Sequence, residues 1–315
     1  MNRRLYFNFP LKGKARNSLY LVYIQFILSK FLSIIIELVA KKTINWGGNT
    51  MKESLSDTIN QRPKILNKLP EVTLIFWIIK VLTTGMGEVV ADFSDNLLTF
   101  PLAATLGAIC LVFALVLQFS ARRYVPWIYW LTVVMVSIFG TMFADILDQE
   151  LGIPLVVSTA GFVITQVVIF IVWYALERNL SVNSIYTWRR EAFYWLTVMD
   201  TFALGTALGD FTAVTLQLGF FASGILFAIL IAIPAIGYRW FGMNSIFAFW
   251  FAYIMTRPLG ASFTDWLWIP TEGCLGLGNG PISLVLTITI IALVAYLTVK
   301  DNHAKNNHGA VVIHQ

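Results

Sequence analysis

Long apolar runs, separated by short polar segments, cover most of this chain from about residue 70 onward. Each run has the roughly 20 residues that an α-helix needs to cross the hydrocarbon core of a membrane. The polar breaks are too short to form domains of their own. The pattern therefore predicts eight membrane-crossing helices, near residues 72–92, 100–119, 125–145, 154–176, 192–211, 216–236, 245–265 and 280–299.

A fourfold internal repeat underlies these helices. In each copy, a Trp is followed by Gly ten residues later and by Asp fifteen residues later. The four copies are Trp77/Gly87/Asp92, Trp130/Gly140/Asp145, Trp195/Gly205/Asp210 and Trp250/Gly260/Asp265. Each motif falls in the first of two successive apolar runs, so one repeat is a pair of crossing helices. We expect the repeats near residues 70–120, 121–178, 189–240 and 243–300.

Composition supports a membrane environment. Hydrophobic residues make up 57% of the chain and charged residues only 12%, with a mean hydropathy of +0.72. A soluble domain carries about twice that charged fraction. The sequence therefore predicts an all-α integral membrane protein whose main partner is the lipid bilayer.

The net positive charge comes from one end of the chain. Residues 1–50 hold eight Lys and Arg against one acid, whereas the chain from Met51 onward holds 14 bases and 16 acids. Without that leader, no basic patch with exposed aromatic residues remains. We therefore expect no nucleic-acid partner.

The leader, residues 1–50, has three interpretations. Its apolar stretch Leu19–Ala40 is either a ninth helix or a signal-like anchor that lacks a cleavage site. The third interpretation is that Met51 is the natural start, because residues 46–51 require a G-rich, purine-rich tract just before an ATG codon. Residues 51–69 then form the segment that precedes the first helix.

Lys and Arg residues predict the orientation. They occur before the first helix and after the second, fourth, sixth and eighth helices, whereas the other four connections contain no Lys or Arg and acidic residues lie in or beside them. By the positive-inside rule, both termini are cytoplasmic, including the polar tail 301–315. Because each repeat crosses twice, all four copies have the same orientation, around a pseudo-symmetry axis along the membrane normal.

The motif helices are expected at the centre of this arrangement. Positions 0, 4, 7, 11 and 15 after each Trp share one helical face, and polar side chains concentrate on it. Lipid cannot face that stripe, so it predicts a path for an ion or a proton. The candidate residues are Glu88, Asp92, Asp145, Asp210, Asp265, Thr84, Thr141 and Thr206.

The repeat residues themselves have structural interpretations. We expect the four Trp residues to pack against the neighbouring repeat, with substrate contact as the alternative. Glycine at position ten either allows close helix approach or ends the helix with a left-handed cap. The four Asp residues either attract a cation at one mouth or are solvated acids at the edges of loops.

Four charges lie deeper in the predicted helices, where unpaired charges are costly. By depth, Lys80 and Asp200 are expected to pair, as are Glu88 and Arg257. These pairs either hold the repeats together or include a carboxylate that titrates or binds an ion. Glu88 is the strongest candidate for that second role.

No catalytic or cofactor motif accompanies these charges. The sequence has no Ser/His/Asp set, zinc-protease motif or dinucleotide fingerprint, so we expect neither an enzyme nor a cofactor. His303, His308 and His314 lie in the polar tail without the spacing of a structural metal site.

The four-copy Trp/Gly/Asp register resembles a family of bacterial inner-membrane proteins built of four tandem two-helix repeats of unknown function. The resemblance covers about residues 70–300. It implies eight crossings and a bacterial inner-membrane location, but no known activity, substrate or catalytic residue.

Two functions are compatible with these observations. The first is a transporter or channel-like carrier of a small cation or proton-coupled solute. The second is a non-transporting sensor, regulator or assembly anchor whose buried charges are structural. The short connections between helices favour transport, because they leave no large soluble surface for a partner.

Overall fold

The computed structural model describes residues 67–271 and 273–312, with side chains through residue 303. The leader 1–50, the start at Met51 and the side chains of His308 and His314 lie outside this part of the chain. Within it there are eight α-helices and no strand. They are α1 (Leu74–Leu97), α2 (Phe100–Ser120), α3 (Pro126–Asp145), α4 (Leu155–Glu177), α5 (Trp188–Asp210), α6 (Phe220–Trp240), α7 (Ser245–Trp268) and α8 (Asn279–Val312).

Local sequence signals set several helix starts. The side chains of Thr73, Thr187 and Asn244 accept hydrogen bonds from backbone N–H groups in the first turns of α1, α5 and α7. These groups have no partner within the helix, so a capping oxygen stabilises the start. A proline occupies the first turn of α2 and α3, where a missing N–H carries no penalty.

The four odd-numbered helices form a closed inner ring. Helix α1 packs against α3, α3 against α5, α5 against α7, and α7 returns to α1. The motif helices thus occupy the centre, as the polar stripe predicts. Two of them continue into short π-helical turns, Ile146–Glu150 after α3 and Phe211–Thr215 after α5.

The even-numbered helices form the outer layer and link the repeats. Helix α2 packs mainly on α3, α4 on α5, α6 on α7, and α8 on α1. The second helix of each repeat therefore lies against the first helix of the next repeat, and the last repeat closes on the first. Contacts between the two helices of one repeat are fewer.

Apolar side chains cover the outside of this layer. Ile109 and Phe113 on α2, Ile164 on α4, Ile229 on α6 and Ile288 on α8 are all exposed. In water such a surface would promote aggregation, whereas lipid solvates it. Burial of the odd-numbered helices and exposure of the even-numbered ones agree with the predicted inner and outer roles.

Six of the eight helices are long and apolar enough to cross a membrane, by length and composition alone: α1, α2, α3, α4, α6 and α8. The sequence prediction was eight. Helices α5 and α7 have comparable lengths, 23 and 24 residues, but neither contains an uninterrupted stretch that is apolar enough. Asp200 and Asp210 on α5 and Arg257 and Asp265 on α7 contribute to that difference.

Candidate functional site

The signature Trp residues join neighbouring repeats. Each Trp ring lies against the aromatic residue that directly precedes the Trp of the previous repeat. The ring-centroid distances are 5.6 Å for Trp130–Phe76, 5.7 Å for Trp195–Tyr129, 6.1 Å for Trp250–Tyr194 and 5.7 Å for Trp77–Phe249. This is the packing arrangement expected from the sequence, and it closes on itself around the inner ring.

The signature glycines form a second level of contacts, nearer the Asp end of the helices. A Cβ on Gly87, Gly140, Gly205 or Gly260 would overlap the side chain of Ser137, Phe202, Arg257 or Thr84, respectively. Each partner lies seven residues after the Trp of the next repeat.

These glycines lie inside their helices, and none of them has a positive φ. The close-approach interpretation is therefore confirmed, and the helix-cap interpretation is wrong. Because the same two offsets meet at two successive levels, the four inner helices run parallel and in register.

A buried ion pair lies at the centre of the inner ring. Arg257 Nη2 on α7 donates to Glu88 Oε2 on α1 at 2.9 Å, and both side chains are 0% exposed. Arg257 Nη1 also donates to the backbone carbonyl of Thr84 at 3.0 Å. The two charges compensate each other where water is excluded, as the depth argument predicted.

Hydroxyl groups from the other two repeats complete this network. Thr141 on α3 and Thr206 on α5 donate to Glu88 Oε2 at 3.4 and 3.2 Å. Arg257 Nη2 donates to Thr206 Oγ1 at 2.7 Å and also to Thr141 Oγ1. Thr141 and Thr206 occupy the same repeat position as Glu88, eleven residues after their Trp. The Glu88 carboxylate of the first repeat is thus contacted by one side chain from each of the other three repeats.

Thr84 has a different place from the one its stripe position suggests. Its hydroxyl donates to the carbonyl oxygens of Val81 and Thr256, at 2.6 and 3.2 Å. The side chain packs against Gly260, and only its backbone carbonyl reaches Arg257. Thr84 therefore supports the network through its main chain.

Two of the signature Asp residues approach Glu88. Carboxylate oxygens of Glu88, Asp92 and Asp265 all lie within 4.8 Å of one another, a spacing that one metal ion can bridge. Asp265 also accepts a hydrogen bond from Trp268 Nε1 at 3.1 Å. Asp92 and Asp265 thus extend the Arg257–Glu88 network toward the Asp end of the ring.

The other two signature Asp residues are placed differently. Asp145 and Asp210 are the last residues of α3 and α5 and are buried, at the same end of the ring as Asp92 and Asp265. Asp145 accepts a hydrogen bond from Gln149 Nε2 at 2.8 Å, in the π-helical turn that follows α3. Neither joins the group formed by Glu88, Asp92 and Asp265.

The predicted pairing of Lys80 with Asp200 is wrong. Within residues 67–303, no salt bridge joins them, and Lys80 Nζ has no hydrogen-bond partner. It lies 3.9 Å from the ring centroid of Phe202 and 4.1 Å from that of Tyr253. The depths matched, but Asp200 lies five residues after its Trp and about 120° around the helix from the central stripe. Equal depth is not sufficient when two side chains leave their helices in different directions.

Sequence reasoning missed two features of this centre. The aromatic residue before each Trp is a repeat position in its own right, occupied by Phe76, Tyr129, Tyr194 and Phe249. Its recurrence was visible in the same alignment of the four copies. No sequence signal indicated the second feature, a buried bridge of 2.7 Å between Lys68 and Glu191, because Lys68 lies before the first motif helix and outside the repeat register.

Comparison with known proteins agrees with the repeat. The family model described as a repeat of unknown function, DUF347, matches four successive segments, residues 75–124, 128–179, 193–243 and 248–302. Each segment contains one inner helix and the outer helix that follows it. No curated protein and no solved structure matches the chain significantly. With two thirds of its length in four tandem copies, the chain belongs to the DUF347 repeat family.

Proposed function

We propose that all eight helices cross the membrane, with the four repeats arranged around a pseudo-fourfold axis along its normal. Helices α5 and α7 lie parallel to α1 and α3 in the inner ring, and each is about 35 Å long at 1.5 Å per residue. Their polar residues face a protein interior, so low hydropathy does not oppose a crossing. The cyclic Trp and Gly contacts support the axis.

For the orientation, we propose a bacterial inner membrane with the Asp end of the ring outside. The connections at the opposite end carry Arg122 and Arg123 after α2, Arg178, Arg189 and Arg190 around the start of α5, and Arg239 near the end of α6. Short loops rich in Lys and Arg remain cytoplasmic.

We propose that the protein is a carrier of a small inorganic cation, which moves along the axis of the inner ring. The observation that carries this proposal is the Glu88 carboxylate. It is contacted by side chains from the other three repeats and lies within 4.8 Å of the carboxylates of Asp92 and Asp265. Buried ionisable groups in membrane helices commonly mark ion or proton pathways.

The charges of this cluster favour a cation as the ligand. Three carboxylates lie close to one guanidinium, so positive charge is in the minority within this cluster of four side chains. An inorganic cation coordinated by Glu88, Asp92 and Asp265 would supply that charge and accept oxygen ligands, which hard cations prefer. Hydroxyl oxygens of Thr141 and Thr206 are nearby as further ligands.

Glu88 then has two alternative partners, Arg257 and the cation. In the present arrangement Glu88 is bonded to Arg257 and is closed off from both ends of the ring. Carriage requires that this pair loosens when the cation is coordinated and forms again on release. Because water is excluded from the centre, both interactions are strong, and the exchange of one partner for the other changes the free energy only by their difference.

The alternative function is a non-transporting sensor, regulator or anchor. One observation favours it: Arg257 and the two threonine hydroxyls already hydrogen-bond Glu88, which suits a permanent structural bridge. The two functions differ in what happens when Glu88 loses its charge.

The test is cation uptake by the purified protein in phospholipid vesicles. Na⁺, K⁺, Mg²⁺, Ca²⁺ and Mn²⁺ are tested one at a time with trapped indicators. Glu88→Gln should reduce uptake to the level of empty vesicles, because the amide keeps the shape but loses the charge. The matched control is Glu71→Gln, since Glu71 is an exposed acid before α1 and should be dispensable.

A double variant separates transport from folding. Glu88→Gln leaves Arg257 buried without its counter-ion, which costs about 3–5 kcal/mol in typical pairs. Glu88→Gln combined with Arg257→Met removes both charges and should restore folding but not uptake. Uptake by the folded double variant, or absence of uptake by the natural protein for every cation, would argue against the carrier.

A further inference from the structure

Lys80 is a buried cationic side chain that the ion pair at the centre does not use. It lies on α1 two turns from Glu88, and its side chain is completely buried. Nζ lies between the faces of Phe202 and Tyr253, at 3.9 and 4.1 Å from the ring centroids. It has no hydrogen-bond partner in the described structure.

This is a costly place for a permanent ammonium ion. Two aromatic faces stabilise a desolvated cation. Removing an ammonium from water costs more than this stabilisation returns, even after the surrounding protein relaxes. In addition, the Arg257 guanidinium lies 5.4 Å from the centroid of the same Phe202 ring, so two cationic groups share one ring.

The helices packed around Lys80 bring few other charged or titratable groups near it. Helix α7 presents Arg257 and Tyr253, α3 presents Tyr129, and α5 presents Tyr194 and, outside bonding range, Asp200. On α1 itself the nearest carboxylate is Glu88, held by Arg257. The part of α8 before Lys300 contains no charged residue.

Tyrosine side chains lie between Lys80 and the end of the ring opposite the Asp residues. The hydroxyl groups of Tyr129 and Tyr194 are 2.6 Å apart, and Tyr253 presents its ring to Lys80 Nζ while its own hydroxyl has no hydrogen-bond partner among the described residues. Along the axis, the order is therefore tyrosine hydroxyls, Lys80, the Arg257–Glu88 network and the carboxylates of Asp92 and Asp265. Lys80 fills the step between the hydroxyls and the ion pair.

We propose that Lys80 carries a proton that is exchanged for the cation, an inference that rests on the proposed carrier function. When a cation binds Glu88, Asp92 and Asp265, positive charge near Arg257 rises, and the Lys80 ammonium releases its proton. One N–H bond breaks, the electron pair stays on Nζ as a neutral amine, and the proton passes to water on the side from which the cation entered. When the cation leaves on the other side, the amine takes up a proton from the water on that side.

The coupling follows from charge repulsion and works in both directions. A cation at the carboxylates disfavours the proton on Lys80, and a proton on Lys80 disfavours the cation to the same extent. The protein then acts as an exchanger that moves cations and protons in opposite directions. Lys80 also differs from its counterparts Val133, Val198 and Tyr253 in the other repeats, so the chain contains this amine once around the ring.

The experiment uses vesicles that contain a trapped pH indicator in addition to the cation indicator. Each of the five inorganic cations is added outside, and both signals are followed. The natural protein should take up cation while the interior becomes more alkaline. Lys80→Met should abolish the pH change, whereas Lys300→Met, which alters an exposed lysine at the far part of α8, should leave it unchanged.

Each outcome decides the inference. Cation uptake by the natural protein without a pH change, or an unchanged pH response in Lys80→Met, overturns the exchange while the carrier function stands. Absence of cation uptake by the natural protein overturns both. Lys80→Gln serves as a second neutral variant. If both neutral variants fail to fold, the ammonium itself is needed for packing, which contradicts a Lys80 that is neutral for part of the cycle.

Discussion

Equivalent residues in the four repeats divide into two groups. The aromatic residue, the Trp and the Gly recur in every copy, and each makes the same kind of contact with the neighbouring repeat. Positions seven and eleven after the Trp diverge, and Arg257 and Glu88 occur there once each. The positions that recur in all four repeats therefore hold the inner ring together. The positions that differ between repeats place the charges at its centre.

The close packing of the glycines gives a prediction at the residue scale. In Gly205→Ala the new Cβ would overlap Cβ and Cγ of Arg257 and approach Pro258 Cδ. Overpacking of this kind typically costs about 1–3 kcal/mol. We expect a lower midpoint of thermal unfolding, followed by tryptophan fluorescence in detergent.

Gly161 provides the matched control for that substitution. It also lies within a helix, on the exposed side of α4, and nothing lies within 4 Å of the position of its Cβ. Gly161→Ala should leave the midpoint unchanged or raise it slightly, since Ala favours helix by about 1 kcal/mol. Equal effects of the two substitutions would contradict the close-approach role of the signature glycines.

At the residue scale, the spacing of residues in the sequence predicted a contact only where it gave two things. These are the depth of each side chain along its helix and the direction in which the side chain leaves the helix. Glu88 and Arg257 lie on the same helical stripe, so their depths were sufficient to predict the pair. Lys80 and Asp200 matched in depth but not in direction, and their predicted pair does not form. The stripe also placed Thr141 and Thr206 at the level of Glu88 as path residues, whereas their hydrogen bonds to Glu88 and the role of the Thr84 carbonyl were not predicted.

The helices themselves are interlocked rather than independent pairs. Each outer helix packs on the inner helix of the next repeat, so no repeat buries its own apolar surface alone. The segment before α1 takes part in this arrangement, because Lys68 bonds Glu191 at the start of α5 at 2.7 Å. Gln118 Nε2 at the end of α2 donates to the other oxygen of Glu191 at 3.0 Å.

The Lys68–Glu191 bridge gives a prediction at the element scale. Lys68 is 10% exposed and Glu191 is fully buried, so Lys68→Met breaks a buried ion pair and takes positive charge away from a buried carboxylate. Such a loss typically costs about 3–5 kcal/mol, and we expect a clear fall in the unfolding midpoint. Replacing Glu191 with Leu in the same chain should recover a part of it.

A more exposed bridge nearby is the control. Arg189 lies 3.5 Å from Glu177 and its side chain is 55% exposed, while Arg190 binds the same carboxylate more closely. Exposed pairs contribute about 0–1 kcal/mol, so Arg189→Gln should change the midpoint little. A fall as large as that of Lys68→Met would mean that burial does not govern these bridges.

The number and order of the helices could be predicted because apolar length and Trp spacing are local properties of the chain. The packing of each outer helix on the inner helix of the next repeat could not be predicted. The pattern of apolar residues does not show against which neighbouring helix a lipid-facing helix packs. The π-helical turns after α3 and α5 were also unforeseen. They directly follow Asp145 and Asp210, where the sequence analysis placed the ends of helices.

In the whole molecule, the four repeats enclose one central column of side chains. Aromatic rings fill one end, Lys80 and the Arg257–Glu88 pair occupy the middle, and carboxylates lie at the other end. Apolar residues of the even-numbered helices cover the outside. The central claim is that an ion passes through this column, at the level of Glu88.

Ala261 offers the most direct measurement of that claim, because it occupies the position of Glu88 in the fourth repeat and is buried. With Cys110 and Cys274 replaced by Ser, Ala261→Cys is treated in vesicles with a positively charged, membrane-impermeant thiol reagent. We predict that modification blocks cation uptake and is slowed by the transported cation. A protein that retains only Cys110, exposed on α2, should be unaffected by the same reagent. Undiminished uptake after complete modification of Ala261→Cys would contradict a path through the column.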